Sequence, residues 1–149
     1  MPFAHHTATV DAPADLVWSL LLEKIERPER FLAGARDVHV TRRPGERAVE
    51  RTMRIGPAGA PRDVREVISY DEPTRTVIFK LLGDATHVGF VTNTVFEDGD
   101  VVRLNFTMSW TPRAGGDDTT PDHAAMIRRA VEATRDVCEA AHRDRRAAP

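Results

Sequence analysis

The 149-residue chain has a single cysteine, Cys138, so no internal disulfide can staple it. That scarcity fits a reduced compartment, and a cytoplasmic location is the expectation. Charge of one sign is also missing. The formal net charge is −2, so no global field draws the chain to nucleic acid or to an anionic membrane surface. Lysine is nearly absent. Two lysines stand against nineteen arginines, which reads as base-composition bias and not as a phosphate-binding device. The longest greasy stretch, Leu16 to Leu22, is interrupted by Ser19 and is too short to cross a bilayer, so no membrane insertion is expected. Met1-Pro-Phe-Ala-His-His has neither a basic start nor an apolar core, so a signal segment is not expected. Metal-ligand spacing is lacking too. His5 and His6 are adjacent, and His39, His87, His123 and His142 show no pattern. No Ser-His-Asp order, phosphate loop or nucleotide fingerprint appears, so neither a metal nor a cofactor is expected.

What remains is an ordinary globular balance, 41% apolar and 30% charged, in a length that suits one domain over residues 1–149. A short first strand fits residues 4–10. Pro13 and Asp15 then open a helix with Trp18, Leu21, Leu22 and Ile25 on its buried stripe and Ser19, Glu23 and Glu26 on its wet side. Pro28 starts a second short helix to Ala33, ended by Gly34. From residue 36 to 111 the texture becomes period-two alternation, with strands near 36–43, 47–55, 62–71, 75–82, 85–97 and 100–111. After a polar loop containing Gly115-Gly116, Thr120 as N-cap and Pro121 in the first turn open a long amphipathic helix. Ile127, Ala130, Val131, Thr134, Val137, Cys138 and Ala141 share its apolar arc. This helix must cover the apolar face of the sheet. Its many alanines fill that space poorly and leave room for a cavity.

The strand pair up to residue 111 turns at Asp98-Gly99, a strong hairpin signal. With Phe96 facing Val101, Asn93 lies opposite Leu104, Val91 opposite Phe106, Gly89 opposite Met108 and His87 opposite Trp110. A three-residue turn at Gly83–Ala85 adds Val77, Phe79 and Leu81 to that face. A four-residue turn at Glu72–Arg75 adds Val64, Glu66, Ile68 and Tyr70. A six-residue loop at Gly56–Pro61 adds Val49, Arg51 and Met53, with Arg51 opposite Glu66. The inward face is thus apolar with Arg51, Glu66, His87 and Asn93 embedded in it. A buried carboxylate needs a partner, and Arg51 is a fitting one. Such a pair is as readily a structural clamp, Asn93 a backbone satisfier, and His87 a partly exposed ring beside Trp110. Their convergence on one apolar surface has the composition of a ligand pocket.

The string Val17-Trp18 to Lys24, then Arg27-Pro28-Glu-Arg-Phe31, Glu50-Arg51-Thr-Met-Arg, Val64-Arg-Glu66, Val77-Ile-Phe79, Asn93 and Leu104-Asn-Phe106 to Ser109-Trp110 resembles the AtaL-like family. That family is a branch of the START-like, helix-grip superfamily (SRPBCC), alongside polyketide cyclases and the birch-pollen-allergen proteins. The resemblance covers about residues 13 to 141. It implies an α+β fold: a seven-stranded curved antiparallel sheet wrapped around a long C-terminal helix, with a cavity between them. Arg51, Glu66, Asn93 and Trp110 match the family pattern, and the loop Gly115–Thr120 departs from it.

Three functions compete. The first is binding of a small apolar or aromatic molecule, such as a polyketide-like metabolite or lipid, by Arg51, Glu66, Ile68, Phe79, His87, Val91, Asn93, Phe106, Met108 and Trp110. The second is a cyclase, aromatase or dehydratase on the same cavity, with Glu66 as acid/base and Arg51 or Asn93 holding an enolate oxygen. A close arginine lowers a carboxyl pKa, which counts against Glu66 as a base. The third is a protein-interaction domain using Val88, Phe90 and Phe96 on the outer face, as a monomer or homodimer. Cys138 reads as a small buried hydrophobe.

Overall fold

Alternation with period two puts one row of side chains on each side of a strand, and seven such rows here close on a single core. The computed structural model describes residues 3–114 and 122–149. In chain order the elements are β1 (Ala4–Val10), α1 (Ala14–Glu26), a 3₁₀ turn (Pro28–Arg30), β2 (Arg36–Arg42), β3 (Val49–Ile55), β4 (Arg62–Asp71), β5 (Thr76–Leu81), β6 (His87–Asp98), β7 (Val101–Pro112) and α2 (His123–Ala147). The strands form one antiparallel sheet in the order β1-β7-β6-β5-β4-β3-β2. The sheet is curved, and α2 packs across β1 and β7 in the helix-grip α+β arrangement. Among the described residues, no helix is long and apolar enough to cross a membrane.

α1 begins after Pro13, carries Asp15 in its first turn, and buries Ala14, Leu16, Val17, Trp18, Leu20, Leu21 and Ile25. Leu22 is only partly buried. The second helix expected from Pro28 to Ala33 is instead a single 3₁₀ turn. The N–H groups of Phe31 and Leu32 both close on Pro28 O, and Gly34 at φ 85° swings the chain out toward β2. Between those two breakers there is room for one tight turn only. At α2, Thr120 and Pro121 lie outside the described residues, as does the loop before them. The cap is Asp122, whose carboxylate accepts from the N–H groups of Ala124 and Ala125. Ile127, Val131, Thr134 and Cys138 form the buried arc, with Ala130, Val137 and Ala141 partly covered beside it. The Thr134 hydroxyl is satisfied by donating to Ala130 O.

The β3–β4 and β4–β5 registers match the expectation, with Arg51 opposite Glu66 and Asp71 opposite Thr76. β6–β7 does not. Asp98 faces Val101, so Phe96 pairs with Arg103, Asn93 with Phe106, Val91 with Met108, Gly89 with Trp110 and His87 with Pro112. The loop is only Gly99-Asp100, and the ladder runs up to it. The slip is two residues, so every side chain keeps its face. β5–β6 is shifted as well, with Phe79 opposite Val91 and Val77 opposite Asn93. There the connection is longer than three residues because Asp84 organises it. Its Oδ1 accepts from Thr86 N, Thr86 Oγ1 and His87 N. Gly89 sits at φ 142°, and a Cβ there would run into Ser109 O across the ladder.

Candidate functional site

Side-chain parity aims four polar groups into the apolar interior, and all four are buried: Arg51, Glu66, His87 and Asn93. The structure divides them between two places. On β3 and β4, Arg51 Nη2 donates to Glu66 Oε2 at 2.7 Å. Its Nη1 donates to Lys24 O and Ile25 O at 2.9 and 3.1 Å, so the same guanidinium serves two carbonyls at the end of α1. Its plane also stands 5.4 Å from the Phe79 ring. On β6, Asn93 Oδ1 accepts from Lys24 Nζ at 2.8 Å. The ammonium lies 4.3 Å from the Phe106 ring centre and 5.7 Å from that of Phe79. Phe106 has no exposed surface and Asn93 has 1%, so the amine is deep even though the lysine as a whole is half-buried.

Burial, then the repulsion of Arg51, lowers the Lys24 pKa to about 7, although Glu66 and Cys138 pull the other way. The Cys138 thiol is pushed up to about 12, mainly by burial, and stays a proton-bearing hydrophobe. Among the described residues, four donors in the interior have no hydrogen-bond partner: Arg51 Nε, Asn93 Nδ2, and the indole nitrogens of Trp18 and Trp110. Native proteins rarely leave such atoms orphaned.

Lys24 was not among the sequence candidates. A lysine on an amphipathic helix reads as solvent-facing. The signal was its spacing, three residues after Leu21 and seven after Val17, both fully buried.

His87 lies six residues from Asn93, about 20 Å along an extended strand. The sequence suggests a partly exposed ring. It is 4% exposed, because Trp110 and His123 of α2 stand 6.0 and 6.2 Å from it, and 6.1 Å from each other. Arg62 lies over the Trp110 ring at 5.2 Å and pairs with Asp84. Burial opposes ionisation of Asp84. The hydrogen bonds from Arg62, Thr86 and His87 outweigh it and hold the carboxyl well below the usual range.

Of the remaining candidates, Ile68, Phe79, Phe106 and Met108 are buried on the inward face and Val91 is half-buried. Tyr70, at the end of the β4 row, is 49% exposed and meets Trp18 edge-on. A hollow of about 140 Å³ opens between α1 and the β2–β4 edge, with Ile25, Val49, Ile68 and Tyr70 in its wall. A larger groove of about 630 Å³ runs past Asp37, His39, Arg54, Leu82 and Asp84. Among the described residues, no cluster of three or more metal-ligating side chains occurs.

Residues 4–147 match the family model of AtaL, described as acetylaranotin biosynthesis cluster protein L. A search of curated proteins gives no match. Among solved structures, the Zhui aromatase/cyclase from Streptomyces sp. R1128 superposes with a TM-score of 0.65 at 24% identity, covering 93% of this chain and 88% of that one. A norcoclaurine synthase point mutant from Thalictrum flavum, in complex with a transition-state analogue, gives 0.70 at 14%, with 92% and 93% covered. The ginseng major latex-like protein 151 from Panax ginseng gives 0.70 at 15%, with 95% and 97% covered. At these identities the likeness is one of fold.

Proposed function

The chain belongs to the AtaL family, and from that premise we propose that it binds a small apolar or aromatic molecule, polyketide-like or lipid, on the concave side of the sheet beneath α2. One observation carries the reading. A charged and amide cluster, Lys24–Asn93 beside Arg51–Glu66, lies inside a wall of Phe79, Phe106 and Ile68, and donors within it lack partners. An apolar lining with a few placed polar groups is the composition of a small-molecule site. In this reading Arg51, Asn93 and Glu66 orient the ligand's polar atoms. Phe79, Val91, Phe106 and Met108 take its body, and His87 with Trp110 closes the far end. Burying about 200 Å² of ligand surface contributes roughly 5 kcal/mol before ordering costs.

The test is a thermal-shift screen of aromatic acids, aromatic ketones and fatty acids, run on the native chain and on Asn93→Leu. A class that stabilises the native chain and loses its effect in the variant supports the reading. No shift from any class refutes it.

A second reading is favoured by the lowered pKa of Lys24. An amine poised near neutrality suits proton abstraction next to a carbonyl, as a cyclase, aromatase or dehydratase requires. Lys24, rather than the arginine-paired Glu66, is then the proton carrier. Turnover lost in Lys24→Met with binding kept would mark an enzyme.

A further inference from the structure

The cluster is unbalanced in charge and in hydrogen bonding, and both imbalances have the same sign. Two cationic side chains, Lys24 and Arg51, share a single carboxylate, Glu66, which Arg51 already holds. The two unpartnered atoms of the cluster, Arg51 Nε and Asn93 Nδ2, are both N–H donors. The one side-chain oxygen of Asn93 is occupied by Lys24, which leaves its NH₂ pointing to no acceptor. Such a site lacks an acceptor and lacks negative charge. An ordinary apolar molecule would supply neither, and a ketone would supply only the first.

We propose that the ligand is a carboxylic acid bound as its carboxylate, and that its anionic oxygen seats between the Lys24 ammonium and the Asn93 NH₂. This deepens the binding function proposed above and rests on it. The ring of Phe106 lies beside the ammonium, with Phe79 behind, so apolar side chains flank the charge that the acid would meet. The groups that face Lys24 are Arg51 from β3, Glu66 from β4 and Cys138 from α2. Cys138 carries its proton up to about 12, whereas Lys24, at about 7, changes charge near neutrality. Its ammonium is the form that receives the anion. Acid binding is therefore strong below pH 7. Above it, the ligand must draw a proton onto the amine, and affinity falls by up to about tenfold per pH unit.

Calorimetry with two matched pairs tests this: 2-naphthoate against 2-naphthamide, and decanoate against decanamide. Titrations are run near pH 6 and pH 8.5, in buffers of different ionisation enthalpy. The expected result near pH 6 is an acid bound about tenfold or more tighter than its amide, as for one added charge-assisted hydrogen bond. Near pH 8.5 that advantage shrinks, and acid binding takes up protons while amide binding does not. Lys24→Met binds acid and amide alike at both pH values, and Lys24→Arg keeps the acid preference at both. Should Lys24→Met fail to fold, the pH dependence and proton uptake of the native chain decide. Equal affinity of acid and amide near pH 6 overturns the acid seat and leaves the binding function standing. An acid preference that survives in Lys24→Met overturns it too. Binding of none of the four probes overturns both.

Discussion

Replacing Arg51 with methionine removes three contacts together: the ion pair with Glu66 and the hydrogen bonds to Lys24 O and to Ile25 O at the end of α1. Methionine nearly keeps the length and the apolar stem, so little of the effect comes from packing against Phe79. Leaving one member of a buried ion pair behind costs about 3–5 kcal/mol. Each carbonyl that loses its donor adds about 1 kcal/mol, less where water reaches the end of the helix. The sum, about 5 kcal/mol, is a third or more of the stability of a typical chain of this kind. At roughly 2–4 °C per kcal/mol for this size, Tm falls by about 10–20 °C. The assay is thermal and urea unfolding of Arg51→Met, Glu66→Leu and the double variant. Because the cost is dominated by the abandoned charge, the double variant recovers about 2 kcal/mol or more relative to Arg51→Met. A Tm drop under about 3 °C for Arg51→Met, or a double variant no better than the single, would refute the claim that this pair is buried and mutually dependent.

Lys24 makes a pH prediction with a definite sign. Its folded-state pKa of about 7 lies below the ordinary 10.5, so the unfolded chain holds the proton longer. Stability from this group is complete above 10.5 and is lost as pH falls toward 7. Relative to Lys24→Met, the native chain therefore gains a few kcal/mol, in order of magnitude, between about pH 7 and 10. Urea midpoints measured across that range check it, and a flat difference contradicts it. Asp84→Ala releases the β5–β6 connection and unpairs Arg62 from its carboxylate, at a cost of about 2–3 kcal/mol. Since the Asp84 carboxyl is held low, its stability is present above pH 3.8 and fades as acid protonates it, so acid unfolding of the variant is less steep. Gly89→Ala forces a Cβ against Ser109 O at a positive φ and costs about 3 kcal/mol or more, read as a lowered urea midpoint or loss of soluble protein.

Which residues face inward was legible in the chain, because period two is a property of the strand itself. Arg51, Glu66 and Asn93 point inward whatever the pairing, and the two-residue slip between β6 and β7 left their faces unchanged. The register depends on how many residues the turn consumes, and Asp98-Gly99 marks a turn without saying where the ladder stops. The β5–β6 connection shows the same limit, since its length follows from the hydrogen bonds of Asp84 to residues beyond it. Lys24 was hidden for a different reason. Its polarity argues for solvent, and only the pairing of its amine with Asn93, 69 residues away, overrides that. His87 was underestimated likewise, because the ring that covers it, His123, arrives from a helix 36 positions further on.

The guanidinium of Arg51 works as a latch as well as a counter-ion. It fastens the last turn of α1 to β3, one strand in from the edge of the sheet, and that turn is the one bearing the amine. Tilting α1 to admit a guest would have to break the two Arg51 bonds to its carbonyls and the Lys24–Asn93 bond in one movement. The amine therefore keeps its depth, and with it its reluctance to hold a proton, for as long as the latch is closed. Amide exchange near the end of α1 and the ionisation of its lysine should rise and fall together.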